Sequence, residues 1–121
     1  MWFRIDFHSS KPIYEQIKEK IKLLILSRKL KEGEFVPSIR SLAEDLGVNL
    51  NTVARAYREL VQEGILEVRR GEGYIVSKVN KEKLQTQLEA ELRKIIEDCK
   101  KAGVPLERVL RLVEEIYRGD E

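Results

Sequence analysis

The sequence has very few of the residues that hold metal ions or form disulfides. Its 121 residues include one cysteine, Cys99, and one histidine, His8. A single cysteine excludes an internal disulfide and fits a reducing compartment. Two such residues are also too few to assemble a zinc site within one chain. The sequence therefore predicts no metal site, and nothing in it indicates a cofactor.

Long apolar runs are missing as well. The longest candidate, residues 21–26, is interrupted by Lys22, whereas a membrane helix needs about 20 apolar residues. The first residues do not show the basic-then-apolar order of a signal peptide. Hydrophobic residues make up 42% of the chain and charged residues 36%, which is typical of a folded domain rather than a disordered one. We expect a cytoplasmic protein that does not enter a membrane.

Catalytic signals are equally scarce. No nucleophile with a neighbouring base stands out, and the acidic pairs at 44–45, 97–98 and 114–115 fall on polar helix faces. The Gly-x-Gly pattern at 71–73 is similar to a nucleotide-binding loop, but a β-like run follows it where such a loop needs a helix. The chain is therefore not expected to be an enzyme. Its net charge of +2 does not by itself indicate nucleic acid.

Hydrophobic periodicity predicts the order of elements in the first two thirds of the chain. Alternation of Phe3, Ile5 and Phe7 with polar residues predicts a short strand or an extended arm. A first helix should run from Pro12 to about Leu30, followed by a very short strand at 34–36. The remaining elements are a helix capped by Ser38 and ended by Gly47, a helix capped by Asn49 and ended by Gly64, and β-like runs at 65–69 and 74–79 joined by the turn 70–73.

The pattern changes at residue 80. From there the sequence predicts two amphipathic helices, one ending near Gly103 and one beginning at Pro105. We expect domains at 1–79 and 80–121. The predicted fold is mainly α with a small β-hairpin, namely a winged helix-turn-helix followed by two C-terminal α-helices.

The link between the second and third helices gives the most specific evidence for a helix-turn-helix. Ala43, Gly47 and Val53 lie at the spacing where such units place a small residue, a turn glycine and a buried β-branched residue. A small residue lets the helices cross closely, and glycine permits the sharp turn. The alternative is an ordinary pair of amphipathic helices with a tight link.

The outer face of the third helix carries side chains suited to a DNA major groove. Asn51, Thr52 and Arg55 lie in its first turns, so we expect them to contact base edges, and Leu50 could contact a thymine methyl group. Arg58 lies further along and suits a phosphate. The alternative is a solvated helix face, on which arginine and asparagine are ordinary.

The predicted hairpin has a basic, glycine-containing tip. Arg70, Gly71 and Gly73 could lie over a phosphate or enter the minor groove, because glycine permits a close approach. The hairpin would then act as the wing of the DNA-binding domain.

Residues 35–76 resemble the DNA-binding domain of the GntR family of bacterial regulators. The matching runs are PSIRSLA at 37–43, LGVN at 46–49, NTV at 51–53, EG at 63–64 and RGEG at 70–73. PIYEQI at 12–17, RAY at 55–57 and the short C-terminal tail are similar to the YtrA-type subfamily.

The resemblance implies that Arg40, the head of the third helix and the wing contact double-stranded DNA. The sequence departs from the family at three positions. Leu50 stands where arginine or proline is usual, Ala54 where some members have arginine, and Arg28 where glycine is frequent. At Leu50 we expect the usual polar contact to be absent or replaced by an apolar one, and Ala54 shifts the expected recognition towards Arg55.

The tail is too small to bury the apolar faces of both its helices, so we expect it to form a homodimer. The predicted interface residues are Leu84, Leu88, Leu92 and Ile95 on the fourth helix and Leu106, Leu110, Val113, Ile116 and Tyr117 on the fifth. Alternatively, the tail folds back onto its own winged domain. About 40 residues can hardly enclose a small-molecule effector, although a ligand between two subunits stays open.

These patterns support two hypotheses for the function. The first is a sequence-specific regulator of transcription, a repressor that binds a palindromic operator as a dimer. The second is a winged-helix module that binds proteins and no specific DNA. Arg40 on the second helix and Asn51 and Arg55 on the third, which we expect to be exposed, favour the first.

Overall fold

The computed structural model describes residues 2–79 and 81–119. Within them the chain forms five helices and one antiparallel hairpin, which confirms the predicted fold class. The elements are α1 (Ile13–Leu26), α2 (Ile39–Leu46), α3 (Leu50–Gln62), β1 (Leu66–Arg69), β2 (Gly73–Val76), α4 (Lys81–Lys101) and α5 (Leu106–Arg118). The chain divides into two compact units, Met1–Lys81 and Glu82–Glu121.

Helix α1 ends earlier than its apolar pattern predicts. It stops at Leu26 instead of near Leu30, because Arg28 adopts a left-handed conformation with φ of 64°. The backbone N–H groups of Lys29 and Leu30 then both donate to the carbonyl of Leu24, at 2.9 and 3.0 Å. This turn brings Leu30 into the core and explains why glycine suits position 28.

Replacing Arg28 with glycine should leave the fold intact and stabilise it. Relief of the left-handed strain on a non-glycine residue favours the variant by about 1 kcal/mol, and the greater freedom of glycine in the unfolded chain offsets part of that gain. Urea unfolding would measure the difference. Loss of stability in Arg28→Gly would show that the arginine side chain makes a stabilising interaction of its own.

The N-terminal arm forms no strand in the described residues 2–11, so the strand alternative is wrong for this segment. Phe3 and Ile5 are half-buried, whereas Phe7 is exposed. The buried side chain of Gln16 replaces a strand partner. Its Oε1 accepts from the N–H of Asp6 at 2.9 Å, and its Nε2 donates to the carbonyls of Asp6 and Lys11, each at 3.0 Å. The side chain of Gln16 therefore supplies hydrogen-bond partners for part of the backbone of the arm.

Local signals set the helix-turn-helix as predicted. The Oγ of Ser38 accepts from the N–H of Ser41 at 3.0 Å and caps α2. Gly47 follows in the left-handed conformation, with φ of 69°. The Oδ1 of Asn49 accepts from the N–H of Asn51 at 2.7 Å and caps α3. Asn49 is therefore a capping residue, and the side chains available for recognition begin after it.

The core of the first unit lies where α3 packs against α1, α2 and β1. Tyr57 is fully buried at its centre, and its hydroxyl donates to the carbonyl of Pro37 at 2.7 Å. Burial raises the pKa of Tyr57 well above its ordinary value. Its ring meets that of Tyr74 edge to face at 5.1 Å, which joins α3 to the hairpin. The other buried apolar side chains of these elements include Ile17, Ile21, Leu42, Val53, Leu60, Leu66 and Val76.

The hairpin pairs β1 with β2 from Leu66↔Val76 to Arg69↔Gly73. The short strand expected at 34–36 is reduced to a single bridge, Phe35↔Ile75. Three backbone hydrogen bonds of 2.8–3.0 Å nevertheless join residues 33–36 to β2. They connect Gly33 N–H with Val76, Val36 N–H with Tyr74, and Val76 N–H with Glu34. The base of the hairpin is thus tied to the segment that leads into α2.

The second unit consists mainly of α4 and α5, with Gly103 in the left-handed conformation between them at φ of 84°. In α5 none of the residues is buried, and in α4 only Leu84 is. The exposed apolar side chains are Leu88, Leu92, Ile95 and Ile96 on α4, and Leu106, Leu110, Leu112, Val113, Ile116 and Tyr117 on α5. The predicted amphipathic helices are present, and their apolar faces are uncovered in the single chain.

Candidate nucleic-acid interface

The predicted recognition residues share the outer face of α3. Asn51, Arg55 and Arg58 are exposed at positions i, i+4 and i+7 of the helix, and Thr52 beside them is half-buried. Leu50, the first residue of α3, is exposed as well. The structure therefore brings the residues that we expect to contact bases together on one surface of α3, in its N-terminal part.

Arg55 is held in place from two sides. The Cζ of its guanidinium lies 3.7 Å from the centre of the Tyr14 ring, which is a cation–π contact. Its Nε donates to the Oε2 of Glu59 at 3.1 Å, one helical turn further along α3. Half of the Arg55 side chain remains exposed, 52% by area. This arginine is therefore accessible but already oriented.

Glu59 also belongs to an ionic network between α1 and α3. Its Oε1 accepts from the Nζ of Lys18 at 2.9 Å. Lys18 pairs in addition with Glu63, which accepts from the Nζ of Lys22 at 2.7 Å. Hydrogen bonds from Lys18 and Arg55 hold the pKa of Glu59 below its ordinary value of 4.5. Burial opposes ionisation of Glu63, but hydrogen bonds from Lys18 and Lys22 outweigh it and lower that pKa too.

This network should make stability depend on acid pH. A carboxylate whose pKa falls on folding contributes stability that is complete above the unfolded pKa and is lost as the pH falls through the folded pKa. We therefore expect the melting temperature to decline below pH 4.5, the ordinary value for both glutamates. The double variant Glu59→Gln, Glu63→Gln should decline less steeply in thermal unfolding monitored at a series of pH values. Equal slopes for the two proteins would contradict this assignment.

The other predicted contact residues lie on α2 and the hairpin. Arg40 is exposed in the first turn of α2, and Arg70 and Gly71 are exposed at the hairpin tip. Gly73 is half-buried instead, and a Cβ placed on it would lie 3.7 Å from the Phe35 ring. Gly71 and Gly73 both have positive φ, as expected for this turn.

Tyr14, Lys18 and Glu59 were missed as parts of this surface by reasoning from the sequence. The i,i+4 spacing of Arg55 and Glu59 could have indicated their pairing. Tyr14 gave no comparable signal, because it reaches Arg55 only through the packing of α1 on α3. Tyr14, Asn49, Asn51, Thr52 and Arg55 together line an open depression of about 310 Å³. The side chains that line the depression carry a cation, two amides and two hydroxyls, which are groups that bind phosphates and base edges.

In the part of the chain that the structure describes, none of the helices has the length and apolar content to span a bilayer.

Comparison with known proteins identifies the family to which the chain belongs. Residues 13–76 match the family described as "Bacterial regulatory proteins, gntR family". The HTH-type transcriptional repressor YtrA of Bacillus subtilis is 42% identical over 117 residues, which cover 93% of this chain and 90% of the relative.

Two solved structures are also similar. A GntR family transcriptional regulator from Listeria monocytogenes is 32% identical with a TM-score of 0.76, covering 90% of this chain and 98% of that one. The AraR DNA-binding domain, solved in complex with operator ORE1, is 30% identical with a TM-score of 0.54, covering 62% and 94%. The chain thus belongs to the GntR family of bacterial regulatory proteins, which are DNA-binding transcription regulators and not enzymes.

Proposed function

We propose that the protein is a sequence-specific repressor that inserts α3 into the major groove of its operator. The observation that carries this proposal is the grouping of Asn51, Thr52 and Arg55 around one open depression at the N-terminal end of α3. Helix-turn-helix proteins read bases with this part of the second helix. Repression is supported by the Bacillus subtilis relative YtrA, which is named a transcriptional repressor.

The side chains divide by the contact they suit. Asn51 can bind adenine through two hydrogen bonds, Arg55 can bind guanine or phosphate in the same way, and Thr52 can approach a thymine methyl. Arg58 lies a further turn along α3 and is assigned to phosphate, together with Arg40 at the start of α2.

Arg70 and Gly71 are assigned to a phosphate or the minor groove, because the hairpin tip exposes both. Gly73 is assigned to the shape of the wing, since the ring of Phe35 covers it. Leu50 is exposed at the head of α3, and we assign it an apolar contact.

We further propose that the tail mediates a homodimer. The uncovered apolar side chains of α4 and α5 support this, since monomeric proteins rarely expose so many together. Leu84 is only 6% exposed in the single chain, so we leave it out of the interface. Two copies of α3 would then face two half-sites of a palindrome, and the protein would act in the cytoplasm, where bacterial DNA lies.

Selection of bound fragments from random double-stranded DNA tests the proposal directly. We expect enrichment of an inverted repeat whose half-sites are separated by about one helical turn or a multiple of it. The selection must be run at stated salt, because phosphate contacts alone give salt-dependent binding to any sequence. Failure to enrich any motif would favour the alternative function, a winged-helix module that binds proteins.

A further inference from the structure

Two residues outside the predicted reading surface, Tyr14 and Glu59, contact the guanidinium of Arg55. We propose that Tyr14 and Glu59 are positioning residues that fix the Arg55 guanidinium for base recognition, and that they thereby determine operator specificity. This inference rests on the proposed function, because it takes Arg55 as a base reader. It adds specificity-determining residues that need not touch a base.

The first support is the way in which the guanidinium is held. The guanidinium lies over the ring of Tyr14, with Cζ 3.7 Å from the ring centre. Glu59 binds Nε, the nitrogen nearest the backbone. Bidentate recognition of guanine uses the outer edge of an arginine, and the bond through Nε leaves the terminal N–H groups for that edge. The two contacts therefore orient the side chain and do not consume its recognition groups.

The second support is that α1 holds both contacts. Tyr14 and Lys18 are separated by four residues on α1, as Arg55 and Glu59 are on α3. Lys18 pairs with Glu59, Glu59 pairs with Arg55, and Arg55 lies over the ring of Tyr14, so the contacts link the four side chains across the two helices. The contacts that hold Arg55 are thus supplied by the packed pair of helices α1 and α3. An arginine ordered before binding loses less conformational freedom on binding.

A contrasting interpretation is that Glu59 competes with DNA for Arg55. A competing carboxylate would be released when Arg55 binds its base, so its removal would raise the ratio of the affinities for the selected and the scrambled duplex. A positioning carboxylate has the opposite effect, since its removal frees the guanidinium and lowers that ratio. The two interpretations predict changes of opposite sign.

The experiment compares the binding of duplex DNA carrying the selected site with that of a scrambled duplex, at one salt concentration. Tyr14→Leu removes the ring, and Tyr14→Phe retains it without the hydroxyl. We expect Tyr14→Leu to lower the ratio of the two affinities about threefold to tenfold, and Tyr14→Phe to change it less than about twofold, because the contact is with the ring face. Thermal unfolding of each variant separates loss of specificity from loss of fold.

Glu59 has a matched control in Glu63. Both carboxylates pair with Lys18, but it is Glu59 that accepts the hydrogen bond from Arg55. Glu59→Gln should therefore lower the affinity ratio about threefold to tenfold, whereas Glu63→Gln should leave it unchanged. In an Arg55→Ala background, Tyr14→Leu and Glu59→Gln should have no further effect, because the side chain that they position is gone.

Each other outcome has a distinct meaning. If Arg55→Ala lowers the ratio but Tyr14→Leu and Glu59→Gln do not, the positioning inference is wrong and the proposed reading surface stands. An increase in the affinity ratio for Glu59→Gln, with none for Glu63→Gln, would also overturn it, in favour of competition. If Arg55→Ala leaves the ratio unchanged, the assignment of Arg55 as a base reader fails first.

Discussion

Ile116→Asp should convert the protein from dimer to monomer and weaken operator binding at least about 100-fold. Ile116 is 72% exposed in the single chain, so the substitution leaves the core of the subunit untouched. In the proposed dimer the same side chain is covered by a partner, and a buried, unpaired aspartate on each subunit costs several kcal/mol. Each 1.4 kcal/mol corresponds to a factor of ten in affinity.

Operator binding should fall along with dimerisation. Two DNA-binding domains that are linked in a dimer bind the two half-sites together. A monomer loses this advantage, because no second domain is held at high effective concentration beside the other half-site. Sedimentation of the variant at micromolar concentration and binding to the selected duplex measure the two effects. Thr86→Asp is a control, because it adds the same charge at an exposed polar position of α4.

Two results would contradict the dimer. Monomeric sedimentation of the unaltered protein at micromolar concentration would refute it outright. An Ile116→Asp variant that remains dimeric would place the contact elsewhere. In either case something other than the proposed dimer contact would have to cover the exposed apolar side chains of α4 and α5.

The second large effect is expected for Arg55→Ala. Loss of a bidentate base contact costs about 1–3 kcal/mol, so binding of the selected site should weaken about 5-fold to 150-fold. Preference for the base read by Arg55 should relax in the same variant. Binding of scrambled DNA should change little in comparison.

Arg58→Ala is the matched variant for this measurement. Arg58 is an exposed arginine on the same face of α3, three residues beyond Arg55. As a phosphate contact it should weaken binding to all sequences alike and reduce the slope of affinity against salt by about one unit. A uniform loss for Arg55→Ala, equal for selected and scrambled duplexes, would reassign Arg55 to phosphate.

The helix-turn-helix could be predicted from the sequence because its signals are local. Ser38 and Asn49 cap the helices that follow them within three residues, and Gly47 takes the left-handed conformation that ends α2. These interactions depend on neighbours in the chain and on backbone sterics. The same reasoning placed the hairpin turn and the break at Gly103.

The arm and the end of α1 depend on distant or strained contacts, and the sequence pattern did not reveal them. Alternation of Phe3, Ile5 and Phe7 suits a strand, but the backbone bonds of this arm go in part to the side chain of Gln16. The conformation of Arg28 ends α1 early, although a non-glycine residue rarely adopts it.

The support of Arg55 was hidden for a related reason. Asn51 and Arg55 could be assigned to the outer face of α3 from helical period alone. The contact of Tyr14 with Arg55 depends on the relative rotation of α1 and α3, which residues 41 positions apart in the sequence determine together. Periodicity identifies which face of a helix is exposed, but not which side chain of a neighbouring helix lies beside it.

The hydrogen bonds between residues 33–36 and β2 have a consequence for how quickly the hairpin can fluctuate. They attach β2, at the base of the hairpin, to the segment that precedes α2. None of these three hydrogen bonds reaches the tip at Arg70 and Gly71. Amides at the base should exchange with solvent deuterium only through larger openings of the domain, and those at the tip through local motion. On binding DNA, the hairpin would then adjust to a phosphate through local bending of its tip, while its base keeps its position in the domain.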